Sequence, residues 1–177
     1  HTNSLHSGST GVHDKIWGAE INNGKLLMYQ FRPDGEGGFP GTLTAQVTYD
    51  LTEDNALKID YQVTCDSDTI CNMTNHSYFN LSGVPGSQIL DHQIMIDADT
   101  YVPVDETMIP TGKLEKVEGT PMDLRQLVTV GDDIDNPFQQ LAYGGGYDHN
   151  WVLNNGGDIT KVAAKVVAPT SGIVMEV

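Results

Sequence analysis

Basic residues are scarce in this chain of 177 residues, because nine Lys and Arg stand against 24 Asp and Glu and the formal net charge is −15. Nucleic-acid phosphates would repel a surface this acidic, so the composition argues against a nucleic-acid partner. The same shortage excludes a polybasic segment for anionic lipid headgroups. The acidic excess favours solubility and does not affect the binding of a neutral ligand.

Long apolar runs are missing as well. No stretch approaches the ~18 consecutive apolar residues of a transmembrane helix, so we predict no membrane span. The chain opens "HTNSLHSGSTG" without Met and stops in "GIVMEV", within a predicted strand. Both ends therefore look cut, and the compartment is left open, with the cytoplasm preferred over the periplasm or secretion. The two cysteines, Cys65 and Cys71, fit either a bridge across a turn or two free thiols.

Signals for metal, nucleophilic and phosphate chemistry are also lacking. The histidines do not pair at helical spacing and have no carboxylate at a zinc-like interval, so we predict no metal and no cofactor. There is no GxSxG elbow, and a nucleophilic pair of Cys71 with His76 would lie on opposite faces of a strand. The Gly-rich "RPDGEGGFPGTL" lacks the Lys and the following helix of a phosphate loop, and we interpret it as an ordered loop.

What the sequence does contain is a period of two, which predicts β-strands. Alternating apolar residues run over 43–51 and 57–65, and the acidic "LTEDN" between them predicts a hairpin. Further strands are predicted in "DHQIMIDADTYVPVD", "YDHNWVLN" and "KVAAKVVAPTSGIVMEV", and one short helix in "VGDDIDNPFQQLA", capped by Asp132 or Asp133. These signals favour an all-β chain, an antiparallel β-sandwich or barrel, with 1–177 as one domain.

One short run is unusually polar for a strand: "NMTNHSYFNLSG", residues 72–83. In a strand, His76 would share one face with polar and aromatic neighbours, Asn72, Thr74, Tyr78 and Asn80. A row of hydrogen-bonding groups around a histidine suggests a ligand-facing surface, although a structural histidine is the common alternative. The three glycosylation sequons in this run are interpreted as accidental.

A second run, "GGGYDHNWVL" at residues 144–153, echoes the first. Three glycines allow a close backbone approach, and Asp148 would share a face with Asn150, opposite Tyr147, His149 and Trp151. An acidic group beside aromatic rings suits sugar hydroxyls and the apolar face of a sugar. The alternative is an Asp in a turn whose neighbours lie in the core, and the spacing does not decide between them.

Taken together, these two runs resemble the aldose 1-epimerase (galactose mutarotase) family. Three further segments resemble family motifs in the family's order: "NSLHSGSTGVHDKIW", "PDGEGGFPGTL" and "YVPVDETMIPTGKLEKVEGTPMDLR". The resemblance covers essentially the whole chain and implies the family's large antiparallel β-sandwich, here with strands absent at both ends. One departure is Ser7, which stands where the family has a Gly after its histidine.

The resemblance implies a cofactor-free isomerase that interconverts the α and β anomers of aldohexoses such as galactose and glucose. In this family's chemistry, His76 would be the general acid that protonates the ring oxygen, and His6 would bind near that oxygen. Asp148 would accept hydrogen bonds from sugar hydroxyls. An imidazole suits acid catalysis because it exchanges protons near neutral pH.

The family's general base, a glutamate from a late strand, and its upstream arginine have no counterpart in this sequence. Glu176 lies in a segment that resembles an earlier strand and is not assigned as the base. We therefore expect this segment to be inactive alone and to have other segments of the same protein as partners. Two alternatives remain: a non-catalytic carbohydrate-binding protein of the same fold, and a phosphosugar epimerase, which the few Lys and Arg disfavour.

Overall fold

A computed structural model describes residues 3–7 and 10–177. The described residues form two compact units, the first ending at His76 and the second beginning at Ser77. Among these residues the elements are mostly strands in antiparallel sheets, with two short α-helices and two single-turn 3₁₀ helices, which confirms the predicted all-β class. Over these residues no helix has the length and apolar character needed to cross a membrane.

The first unit holds a four-stranded antiparallel sheet in the order β1-β2-β3-β4. Its strands are β1 Gly18–Asn22, β2 Lys25–Arg32, β3 Leu43–Leu51 and β4 Leu57–Cys65. The predicted hairpin is confirmed, because β3 and β4 pair from Leu43 opposite Cys65 to Leu51 opposite Leu57. The predicted apolar face of β3 is also confirmed near its start, where three residues are buried: Leu43, Ala45 and Val47.

The second unit holds two further antiparallel sheets, in the orders β11-β10-β5-β8 and β7-β6-β9. Their strands are β5 Gln93–Ile96, β6 Ala98–Val102, β7 Glu115–Lys116, β8 Val128–Thr129, β9 Asn150–Leu153, β10 Ala164–Val167 and β11 Val174–Glu176. The strand predicted across residues 91–105 is therefore two strands, β5 and β6, in different sheets. It ends directly before Pro103, as predicted, since proline cannot donate to the ladder.

The predicted helix is interrupted at Pro137 and forms two pieces, α1 Val130–Asp133 and α2 Gln139–Gly144. The prediction that Asp132 or Asp133 caps it is wrong, because both residues lie inside α1. Proline disfavours helical backbone at the residue before it, which explains the break. Leu141 of α2 is buried in a core with Tyr101, Val117 and Met122.

The predicted strand in residues 72–83 is wrong, because the structure has an irregular segment followed by a turn there. A strand needs a neighbour that pairs with its backbone groups, and no ladder includes these residues in the part of the chain that the structure describes. Polar side chains hold the run instead. The amide of Asn75 donates to the Tyr49 hydroxyl at 3.1 Å, and that of Asn80 donates to the Ser87 carbonyl at 2.8 Å.

Candidate active site

Two of the predicted site residues meet in the first unit. The rings of His6 and His76 lie edge to face with centroids 5.7 Å apart and planes inclined by 79°. His13 also approaches His6, with 6.0 Å between the ring centroids. Both His6 and His76 are solvent-exposed, so a ligand in solution can reach the pair. The arrangement offers two imidazoles that can donate or accept a proton within the span of one sugar ring.

The backbone around His6 adopts a conformation that side chains rarely take. His6 has a φ of 52° and Ser7 a φ of 64°, both in the left-handed region. Such angles cost non-glycine residues free energy and cluster at functional sites. The φ of Ser7 also gives a physical reason for the Gly that the resembling family carries at this position, since glycine adopts the region without penalty.

Gly11 holds the His6 loop in its tight form. A Cβ atom on Gly11 would lie 2.4 Å from the His6 carbonyl oxygen and 2.3 Å from Cε1 of His13. These distances are shorter than real Cβ contacts, so any side chain here would displace one of the two histidines. The hydroxyl of Thr10 donates to the Ser7 carbonyl at 3.3 Å and closes the same loop.

The Gly-rich loop, residues 33–41, packs beside this segment and is ordered, as predicted. The amide of Gly41 donates to Asp34 Oδ1 at 2.6 Å, which closes the loop, and Lys15 forms an ion pair with Glu36. A Cβ on Gly37 would lie 2.3 Å from the Thr10 hydroxyl oxygen, so glycine is required for this approach. The loop therefore supports the backbone that carries His6.

Asp148 lies in the second unit, in the turn between α2 and β9, and its side chain is exposed. The next residue points the other way: the His149 ring lies edge-on to Tyr101 and Trp151, with centroids 6.0 and 6.5 Å apart. Tyr147 and Trp151 pack against the core of this unit. The predicted division of faces is therefore confirmed, and the aromatic neighbours of Asp148 are core residues, not a sugar platform.

Burial shifts the pKa of two titratable groups of this turn: it raises that of Tyr147 and affects His149 as well. Burial lowers its pKa below the ordinary histidine value, and the Asp148 carboxylate opposes that shift only partly. Within the described residues, neither of its ring nitrogens has a hydrogen-bond partner, although both are buried. A neutral ring fits this apolar surrounding, since a buried charge without a partner is costly.

Residues 3–7 and 10–177 contain no group of three or more His, Cys, Asp or Glu side chains arranged to hold a metal ion. Cys65 and Cys71 are free thiols, which resolves the alternative that the sequence left open. Tyr49, whose hydroxyl accepts from the side-chain amide of Asn75 next to His76, carried no role in the sequence-based prediction of the site.

Comparison with known proteins decides the family. The family model described as Aldose 1-epimerase matches residues 1–177. The chain belongs to the aldose 1-epimerase family. It is 41% identical over 175 residues to the galactose mutarotase of Mus musculus, covering 99% of this chain and 49% of the relative. It is 40% identical over 167 residues to the aldose 1-epimerase of Escherichia coli (strain K12), covering 93% of this chain and 47% of the relative.

The family assignment agrees with the fold. The crystal structure of galactose 1-epimerase from Lactobacillus acidophilus NCFM superposes with a TM-score of 0.82 at 30% identity, over 93% of this chain and 48% of that one. This aldose 1-epimerase family chain spans about half the length of the curated relatives it matches. The similarity confirms the predicted family and its β-rich fold.

Proposed function

We propose that the full-length protein containing this chain is an aldose 1-epimerase that interconverts the α and β anomers of free aldohexoses such as galactose and glucose. The observation that carries the proposal is the edge-to-face pair of His6 and His76, with ring centroids 5.7 Å apart. Family membership over all 177 residues supports the same reaction. The names of the relatives, galactose mutarotase and aldose 1-epimerase, suggest the substrate class.

The proposed reaction needs two proton transfers. A general base removes the proton of the anomeric hydroxyl, its oxygen becomes a carbonyl, and the bond from the anomeric carbon to the ring oxygen breaks. His76 delivers a proton to that ring oxygen as the bond breaks. The aldehyde end then rotates, and reversing the transfers closes the ring as the other anomer. A positioned acid or base contributes about 10²–10⁴-fold each.

The other two predicted residues hold the sugar in this proposal. His6 binds near the ring oxygen, and its ring is held against His76 by the tight loop around Gly11. Asp148 accepts hydrogen bonds from sugar hydroxyls, for which an exposed carboxylate in a glycine-rich turn is suited. The general base is a glutamate contributed by a part of the protein outside these residues.

The test is the rate of anomer interconversion by the full-length protein. Fresh α-glucose and α-galactose are followed by polarimetry or by NMR of the anomeric protons, and we expect acceleration proportional to protein concentration. Residues 1–177 expressed alone should leave the buffer rate unchanged, because the base lies elsewhere. Sugar binding by the full-length protein without any acceleration would instead identify a carbohydrate-binding protein of the same fold.

A further inference from the structure

Two aromatic side chains tie the turn that carries Asp148, between α2 and β9, to a neighbouring segment of the second unit. The Tyr147 hydroxyl donates to the Pro121 carbonyl at 3.3 Å. The indole Nε1 of Trp151 donates to the Met122 carbonyl at 3.0 Å. These bonds span 26 and 29 residues of sequence, and both ends of each lie in the second unit. One short segment therefore accepts a bond from each side of Asp148.

The segment that accepts these two bonds is itself fixed. The Thr120 hydroxyl donates to the Val117 carbonyl at 2.7 Å and accepts from the Met122 N–H at 3.1 Å. The Asp123 N–H donates to the Thr120 carbonyl at 3.1 Å, which closes a tight turn. The side chain of Met122 is buried in the core of the unit. A turn anchored in a close-packed core presents its carbonyl groups at defined positions.

The chain also enters and leaves the Asp148 turn from regular structure. Helix α2 ends at Gly144, and the Gly146 N–H donates to the Leu141 carbonyl of that helix at 3.0 Å. Gly146 has a φ of 133°, which other residues rarely adopt, so glycine is required at this bend. Strand β9 begins at Asn150, which pairs with Val102 of β6. Only three residues lie between these two fixed points, Gly146 and Asn150.

Asp148 is the exposed member of those three residues, and Tyr147 and His149 beside it are partly buried. In the part of the chain that the structure describes, no hydrogen bond or ion pair holds the Asp148 carboxylate itself. Its position is therefore set through the backbone, by the contacts of its neighbours. Burial raises the pKa of the Tyr147 hydroxyl further above neutral pH, so the hydroxyl keeps the proton that it donates.

We propose that Tyr147 and Trp151 are positioning residues for sugar binding, which hold the Asp148 carboxylate in place through the backbone of the turn; this inference rests on the proposed function. A carboxylate and a sugar hydroxyl form a good hydrogen bond only over a narrow range of distance and angle. A shift of the turn would spoil that alignment although the carboxylate is still present. The loss falls on affinity, because the proton transfers belong to other groups.

The first test is Tyr147→Phe in the full-length protein, which keeps the ring and removes only the hydroxyl. We expect aldose affinity in calorimetric titration to fall about threefold to tenfold, with kcat in polarimetry within about twofold of the parent. Tyr101→Phe is the matched control, because it removes a phenol bond from the same core, to Glu115 at 3.0 Å. Glu115 lies on β7, on the side of β6 away from β9, so the control should keep the parent affinity.

The second test asks whether the loss depends on the carboxylate. In an Asp148→Ala background, Tyr147→Phe should change affinity by less than about 1.5-fold, since no carboxylate is left to position. A general loss of packing would weaken affinity in both backgrounds. Trp151→Phe removes the other bond to the accepting segment. We expect the same pattern from it, with weaker affinity in the parent and little change in the Asp148→Ala background.

Tyr147→Phe and Trp151→Phe variants that keep the parent affinity, beside a weakly binding Asp148→Ala, would overturn the positioning role and leave the proposed function intact. Equal losses in Tyr147→Phe and Tyr101→Phe would overturn it too, as would a Tyr147→Phe loss that persists without the carboxylate. If Trp151→Phe does not fold, the Tyr147 comparison decides.

Parent affinity in Asp148→Ala would overturn both the binding role of Asp148 and the positioning role of its neighbours. A parent that binds aldoses but does not accelerate mutarotation would overturn the epimerase proposal alone. The affinity comparisons would then still decide whether Tyr147 and Trp151 hold the carboxylate in place.

Discussion

The side-chain amide of Asn75 donates to the phenol oxygen of Tyr49, 3.1 Å away, and so ties the residue before His76 to strand β3. Tyr49 stands in the part of β3 that pairs with both β2 and β4. The irregular segment, residues 72–80, is therefore held to this sheet at Asn75, the residue directly before the proposed acid His76. A bond of this kind sets where His76 can lie without contacting the substrate itself.

Removing that hydroxyl should slow the reaction more than it weakens binding. We expect Tyr49→Phe in the full-length protein to lower kcat severalfold with KM nearly unchanged, because a neutral hydrogen bond is worth about 0.5–1.5 kcal/mol. Tyr29→Phe on β2 is the matched control and should match the parent, since its ring is about half exposed, at 52%. Equal losses in the two variants would refute a positioning role for Tyr49.

The general acid is tested at His76. We expect His76→Asn to lower kcat by at least about 10²-fold, the lower end of the range for a lost general acid, with a much smaller change in KM. His13→Asn is a demanding control, because the His13 ring also lies 6.0 Å from that of His6. We expect the kcat of His13→Asn to stay within about threefold of that of the parent. A His76→Asn enzyme with near-parent kcat in polarimetry would remove His76 from the acid role.

Asp148 should act in binding. We expect Asp148→Ala to weaken aldose affinity about tenfold or more, since hydrogen bonds to a charged group are worth about 1.5–3 kcal/mol. Asp135→Ala removes an equal charge from an exposed position in the same unit and should leave affinity unchanged. Calorimetric titration with the sugar measures both variants. Unchanged affinity in Asp148→Ala would make Asp148 a structural turn residue.

His149 should make stability depend on pH. Burial lowers its folded-state pKa, so between that pKa and the unfolded value of about 6.5 the unfolded chain binds more protons than the folded one. Stability therefore falls as the pH drops below about 6.5 and levels off below the folded pKa. His149→Phe should lose this part of the profile in thermal melts from pH 5 to 8, whereas His13→Asn should keep it. An unchanged profile in His149→Phe would contradict the shift.

The patterns of side chains predicted where strands occur better than they predicted which segments those strands contact. The alternation of β3 and β4, with an acidic turn between them, was sufficient for their pairing because both strands are adjacent in sequence and share one turn. The split at Asp97 was not visible, because the apolar pattern continues through it. There the Asp97 N–H donates to the Ala163 carbonyl, a partner 66 residues away (163 − 97 = 66), so tertiary contacts decide where β5 ends.

For the candidate site, too, local sequence patterns predicted the candidate residues but not the contacts that hold them. Local patterns singled out His76 and Asp148 as candidates, and the family resemblance added His6. The strand geometry inferred for His76 was wrong, because a polar run fits an irregular segment held by side chains as well as it fits a strand. The support from Tyr49 depends on a bond with Asn75, 26 residues away in sequence, which no local spacing reveals.

The two tryptophans of the sequence lie one in each unit, and each indole is tied to the backbone of its own unit. Trp17 Nε1 donates to the Val12 carbonyl at 2.9 Å, and Trp151 Nε1 donates to the Met122 carbonyl at 3.0 Å. Because indole emission changes when such a bond breaks and water enters, each unit carries its own fluorescent reporter. Replacing either tryptophan with Phe leaves a single reporter, and coincident melting curves from the two variants would identify residues 1–177 as one cooperative domain.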